Sequence, residues 1–249
     1  MKSKAIRLKI HQETANYRIP VSHQFRESYP LPPYSTVIGM IHYLCDFHEY
    51  HPMKLSIQGN YASTTSDFYT RYEFKNGMKY DDHRHNLNAE GMGISRGIGN
   101  IQLLVDVNLI VHIIPDNLDE LETIYRALKY PREFPNLGRR EDIANIHVDL
   151  VDIEKRELEK DVPVKNSFYI PREQINDDFN FLVKKDGGRR GTYYEINKNY
   201  SLVSTRRNQT ERRWNRIQVL YASNFTLLEE GEFVFDEDNN PIFWPELSN

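Results

Sequence analysis

Residues 101–128 read IQLLVDVNLIVHIIPDNLDELETIYRAL, and this stretch decides the fold. Ile101 to Ile114 is rich in β-branched residues and is the strongest strand signal in the chain. Pro115-Asp116-Asn117 ends it, and Asp116 or Asn117 caps a helix in which Leu118, Leu121, Ile124, Tyr125 and Leu128 share one face. A strand from Ile146 to Ile153 follows, alternating through Ile146, Val148 and Leu150. The same order stands upstream. Lys4 to His11 alternates apolar Ile6, Leu8 and Ile10 with polar neighbours, a helix is expected over 35–47, and Lys54 to Thr65 reads as a second strand. Strand–helix–strand twice predicts an α+β fold, a ferredoxin-like (RRM-like) βαββαβ frame over 1–155 with both helices on one face of an antiparallel sheet.

Two segments lie outside that frame. Residues 66–100 are polar, aromatic and glycine-rich, and Asn76-Gly77 is a strong hairpin-turn signal, so a long inserted β-hairpin is expected there. Residues 156–249 carry turn signals at Asp186-Gly187-Gly188 and Asp238-Asn239-Asn240-Pro241 and read as a β-rich C-terminal extension.

The chain has 249 residues, 39% hydrophobic and 27% charged, which fits a globular protein able to bury a core. No apolar run approaches the roughly 18 residues of a membrane helix. Met1 to Arg7 holds charges where a signal peptide needs apolar residues, so a cytoplasmic, non-membrane protein is expected. The single cysteine, Cys45, falls in a helical apolar pattern and reads as a structural thiol. The nine histidines show no ligand spacing beyond His83-Arg84-His85, so neither a metal nor a cofactor is expected. The net charge of −4 hides an asymmetry. Lys184 to Arg216 has ten Lys/Arg against three Asp/Glu, while Ile217 to Asn249 has seven Asp/Glu and no Lys/Arg. The basic part is a candidate binding face and the acidic 229–238 a candidate protein-facing surface; solvated strand edges are the plainer alternative.

Three stretches stand out for chemistry besides that asymmetry. In Tyr29-Pro30-Leu31-Pro32-Pro33-Tyr34-Ser35-Thr36-Val37-Ile38-Gly39, three prolines force an extended arm, and Ser35 or Thr36 is expected to cap the helix that follows. A helix start carrying hydroxyls suits an anion such as phosphate, though a stiff strand-to-helix turn needs no ligand. In Pro135-Asn136-Leu137-Gly138-Arg139-Arg140-Glu141-Asp142, Gly138 permits a tight turn and two arginines can fork onto phosphates, or merely be solvated. Gly91 to Gly99 precedes a strand instead of following one, which rules out a dinucleotide fingerprint and leaves a loop able to lie along a sugar-phosphate backbone. The basic run interleaves Arg189, Arg190, Arg206, Arg207, Arg212, Arg213 and Arg216 with Tyr193, Tyr194, Tyr200 and Trp214, a mixture suited to phosphates and stacked bases. Catalysis finds little support. His42 and Tyr43 are adjacent on a helix and point about 100° apart, and no hydrolase or phosphate-loop motif is present.

The arm Tyr29–Gly39 and the turn Tyr130–Asp142, ending in Leu-Gly-Arg, together resemble the two signatures of the CRISPR-associated (Cas) family five proteins of the RAMP superfamily. The resemblance implies a guide-RNA subunit of a type I (I-B-like) Cascade complex acting in antiviral defence. Such a subunit caps the 5′ handle of the CRISPR RNA, anchors the backbone subunits, contacts the large subunit and so meets target DNA indirectly. It implies handle contacts at Ser35, Thr36, Gly39, Asn136, Gly138, Arg139 and Arg140, with Arg26 beside them. It makes 66–100 a thumb, carrying Arg71 and Arg96; the RNA-binding role expected of Arg189, Arg190, Arg206 and Arg207 rests on the basic run itself. One subgroup of the family cuts precursor RNA with a Tyr–Lys–His set. No such triad is placed here, so the expectation is a non-catalytic subunit. A metal-independent endoribonuclease and a general single-strand RNA binder are the rivals.

Overall fold

A computed structural model describes residues 3–22, 25–175, 191–204, 210–229 and 231–245. In chain order the elements are β1 (Ser3–Ala15), β2 (Phe25–Arg26), α1 (Tyr34–Cys45), β3 (Met53–Glu73), β4 (Leu87–Ala89), β5 (Met92–Pro115), α2 (Leu121–Lys129), β6 (Asn145–Glu157), β7 (Val162–Pro163), β8 (Ser167–Pro171), β9 (Gly191–Ser204), β10 (Thr210–Ala222), β11 (Thr226–Leu227), β12 (Glu232–Asp236) and β13 (Pro241–Ile242). The fold is α+β and dominated by strands.

One sheet runs through the molecule in the order β13-β12-β6-β1-β5-β3-β8-β10-β9, with β2 and β4 added to β5. At its centre β1 pairs antiparallel with β5 on one side (Ile6↔Ile113, Ile10↔Leu109) and β6 on the other (Leu8↔Val148). The alternation seen in β1 sorts its side chains. Ile6, Leu8 and Ile10 are buried with Leu55, Ile57, Val111 and Ile113 beneath Val37, Ile41 and Leu44 of α1 and Ile124 and Leu128 of α2. Each such buried aliphatic chain stabilises by roughly 1.5–3 kcal/mol. Arg7, Lys9 and His11 point to the other face, where Arg7 is buried and Lys9 and His11 are exposed.

Residues beyond β6 serve both edges. β8, β10 and β9 extend the sheet past β3, while β12 crosses back to pair with β6 (Phe235↔Glu154) and carries β13. The turn after β12 closes over the face opposite the helices. There Asp236, fully buried, accepts hydrogen bonds from Arg7 Nη1 (2.9 Å) and His112 Nε2 (3.0 Å), and its Oδ1 accepts the Asn240 N–H at 2.8 Å.

Several expectations need correction. Neither Ser35 nor Thr36 caps α1. Pro33 is the N-cap, and its carbonyl accepts the N–H of Thr36 (3.0 Å) and Val37 (3.4 Å), because proline already supplies the extended φ of −59° that a cap requires. Leu118–Glu120 forms a short 3-10 turn capped by the Asn117 side chain, so α2 begins at Leu121. Residues 66–100, expected as an inserted hairpin, begin inside a strand that does not end at Thr65. β3 and β5 pair without a break in element from Met53↔Pro115 to Glu73↔Ser95, so the projecting ribbon is an outgrowth of two core strands. Its tight turn falls at Glu90-Gly91, both with positive φ (51° and 84°), joining β4 to β5. Asn76-Gly77 makes a turn closed by Met78 N–H to Lys75 C=O, but it does not join paired strands. No helix among the described residues is long and apolar enough to cross a membrane.

Candidate nucleic-acid interface

The two proline-rich segments meet. Thr36, Gly39, Met40, Tyr43 and Leu44 of α1 face Glu133, Phe134, Pro135, Asn136, Gly138 and Arg140 across an open groove of about 360 Å³. Leu31 and Tyr34 of the arm are buried, and the Tyr169 hydroxyl of β8 donates to Leu31 C=O at 2.7 Å. The arm is therefore clamped from behind by the C-terminal half of the chain.

The opposite wall is built around one carboxylate. Asp142 is fully buried and accepts the backbone N–H of Asn16 (3.0 Å) and of Arg139 (2.8 Å) on Oδ2. Arg139 Nη2 donates to its Oδ1 at 2.6 Å. Gly138 lies at φ +115°, and a Cβ there would stand 2.8 Å from Asp142 Oδ2 and 2.9 Å from Asn16 C=O. Only glycine fits that approach. Gln12 Nε2 donates to the carbonyls of Leu137 (2.9 Å) and Asp142 (3.1 Å), and Tyr17 donates to Gln12 Oε1 (2.6 Å).

Asn16 carries the wall over to the ribbon. Its amide donates to Arg26 C=O (3.0 Å) and Gln102 C=O (2.8 Å). Arg26 lies 3.7 Å over the Tyr69 ring, and that ring covers Gly99, where a Cβ would stand 2.6 Å from it. Groove wall and ribbon base are thus linked through Asn16 and Arg26.

The expected site residues separate by location. Thr36, Gly39, Asn136, Gly138 and Arg140 line the groove, with Arg26 near the ribbon base. Ser35 is half-buried beside the groove and does not line it. Arg139 is turned inward to Asp142, with Glu141 at 3.0 Å, whereas Arg140 is exposed and in no ion pair among the described residues. Arg71 pairs with Glu73 at 2.6 Å and Arg96 is exposed farther up the ribbon. Arg189, Arg190, Arg206 and Arg207 lie outside the described residues.

Two aromatic residues complete the groove: Tyr43, which the sequence offered only as a catalytic candidate beside His42, and Phe134, which it did not single out. Phe134 is 86% exposed and Tyr43 47%, with the Arg132 guanidinium 4.8 Å over the Tyr43 ring. Tyr43 donates to Glu133 Oε2 at 2.7 Å, and this bond holds its phenol above the ordinary value. Open rings beside an unpaired arginine suit a base and its phosphate. The signal for the Asp142 clamp was the Arg139–Asp142 spacing, read too readily as two free arginines. His42 has both ring nitrogens engaged, Nδ1 with Ile38 C=O (2.9 Å) and Nε2 accepting the His51 N–H (2.9 Å). Burial lowers its pKa and keeps it neutral. Burial also pushes the Cys45 thiol up to about 11. Among the described residues no group of three His, Cys, Asp or Glu is placed to hold a metal.

The fold is one already seen in a solved structure. A chain of a solved "CRISPR RNA-guided surveillance complex" superposes with a TM-score of 0.54 at 15% identity, covering 89% of this chain and 90% of that one. A CRISPR protein from Archaeoglobus fulgidus (TM-score 0.47, 10% identity, 98% and 100% coverage) is similar too loosely to carry an argument. No curated protein matches the chain. The family model described as CRISPR-associated protein (Cas_Cas5) matches residues 5–214, and the chain belongs to that family.

Proposed function

We propose that this protein is a non-catalytic RNA-binding subunit of a CRISPR ribonucleoprotein complex, and that its groove holds the 5′ handle of the guide RNA. The observation that carries this reading is the convergence of two segments about a hundred residues apart on one groove, with Arg140 unpaired and two aromatic rings open. Phosphates would meet Arg140 and Thr36, and an unpaired base would lie against Tyr43 or Phe134. Arg139 belongs to the wall instead. The ferredoxin-like reading is supported by the order β6-β1-β5-β3 with a helix in each crossover. Membership of a Cascade-type complex, with backbone and large subunits as partners, rests on the family and on the shared fold. The engaged state of His42 supports a non-catalytic role.

Binding of repeat-derived RNA to the full chain tests this. Arg140→Gln is expected to weaken handle binding by roughly tenfold and to reduce the salt slope by about 1, with the melting temperature unchanged. Equal binding of a scrambled RNA would overturn the handle assignment. Metal-free conversion of the repeat RNA to a handle-length product would overturn the non-catalytic part.

A further inference from the structure

We propose that the ribbon formed by β9 and β10 is a separate docking surface for a single-stranded nucleic-acid segment, at the end of the sheet opposite the β3–β5 ribbon. The register fixes the direction. Ala222 stands opposite Phe168 of β8, which stands opposite Gln58 of β3, and Val219 stands opposite Pro171, the last residue of β8. Residues 210–218 of β10 and their partners in β9 therefore run on past β8, on the side where β3 begins at Met53. The β3–β5 ribbon leaves the sheet on the other side, at Glu73↔Ser95.

The base of the β9–β10 ribbon is tied down and its outer part is not. Ile196 and Lys198 are buried, whereas both strands from Tyr200 to Ser204 and from Thr210 to Arg216 are exposed. Alternation sorts this outer part into two faces. Tyr200 pairs with Trp214 and Leu202 with Arg212 on one face; Ser201 pairs with Arg213 and Val203 with Glu211 on the other. On the first face the Tyr200 and Trp214 rings meet edge to face at 5.3 Å, and the Arg212 guanidinium lies 4.5 Å over Tyr200. Leu202 beside them is 65% exposed.

Charge selects the occupant. Arg212 and Arg213 are in no ion pair among the described residues, while Arg216 is held by Glu195 at 3.3 Å. The one carboxylate of the outer ribbon, Glu211, sits on the reverse face. A guanidinium lying flat on a ring keeps its in-plane N–H donors free for phosphate oxygens. Two aromatic rings with the free Arg212 beside them make a stacking platform that accepts any base, while Arg213 adds a free cation on the reverse face. The proposal is independent of the groove.

The chain has two tryptophans, so Trp244→Phe leaves Trp214 as the sole reporter. The full-length W244F protein is titrated with oligouridylate and with oligothymidylate, following tryptophan fluorescence at low salt. Quenching by either supports the surface, and the stronger quencher says whether RNA or DNA is its ligand. R212Q/R213Q is expected to raise the Kd roughly tenfold and to lower the salt slope by 1 to 2. Arg140→Gln leaves the quench intact, so failure of this surface and failure of the groove are told apart. The same arginine pair, read by anisotropy of labelled oligonucleotides in the unmodified chain, covers a poorly folded W244F. No response to either oligonucleotide, or an affinity and slope indifferent to the arginine pair, overturns the proposal.

Discussion

Asp142→Ala is expected to destabilise the fold by about 3–5 kcal/mol, the cost of removing one partner from a buried ion pair. For a chain of this size that lowers the melting temperature by roughly 10 °C. The carboxylate is fully buried and accepts from two backbone N–H groups and the Arg139 guanidinium. Without it the N–H groups of Asn16 and Arg139 lose their acceptor, and Arg139, whose side chain is 21% exposed, keeps only the solvated Glu141. The turn that forms one wall of the groove would loosen with it. Because the loss runs through the pair, Asp142→Ala with Arg139→Met should cost clearly less than the two single changes added together. Strict additivity in thermal or urea denaturation would show that the pair is not what holds the turn. The contrast with Arg140 is the functional content of this prediction. Arg139 substitutions should lower stability and handle binding together, while Arg140→Gln touches binding alone.

How much of this was legible in the sequence depends on whether the information was local. The heart of the sheet was readable because β1 alternates, β5 is rich in β-branched residues and α1 repeats its apolar positions at helical spacing. The residues of both groove walls were readable too, since prolines and Gly138 announce special backbone. Three things were hidden. The crossing of β12 to the β6 edge is a pairing across some eighty residues, with no local trace. Asn16 looks like any polar residue at the end of a strand, yet it joins Asp142, Arg26 and Gln102. The start of the inserted hairpin was hidden because its residues turn polar after Tyr61, where β3 leaves the core without leaving its partner. Polarity marked the edge of the core, and it was read as the end of a strand.

The second large effect concerns the clasp that closes the C-terminal residues over the sheet. Asp236→Asn is expected to cost about 3 kcal/mol, at the lower end for a buried pair, because Arg7 retains Asp149 at 3.1 Å and Asp238 at 2.6 Å. The site also sets a pH dependence. Burial alone would push the Asp236 carboxyl up, but the bonds from His112, Asn240 and Arg7 outweigh it and hold it well below the ordinary 3.8. Burial lowers the pKa of His112 from 6.5, against the opposing bond to Asp236, so the ring stays neutral in the folded state. As pH falls through 6.5 the unfolded chain takes up a proton on this histidine that the folded chain refuses, and stability declines. Below 3.8 the unfolded chain also protonates Asp236 before the folded one does, and a second decline begins. Each proton contributes a slope of up to about 1.4 kcal/mol per pH unit. Urea denaturation across this range should show His112→Gln shrinking the decline near neutral pH, to which His42 also contributes, and Asp236→Asn shrinking only the acidic one, to which Asp149 also contributes. Loss of both segments in either variant would mean that the two groups titrate as one unit, contrary to this account.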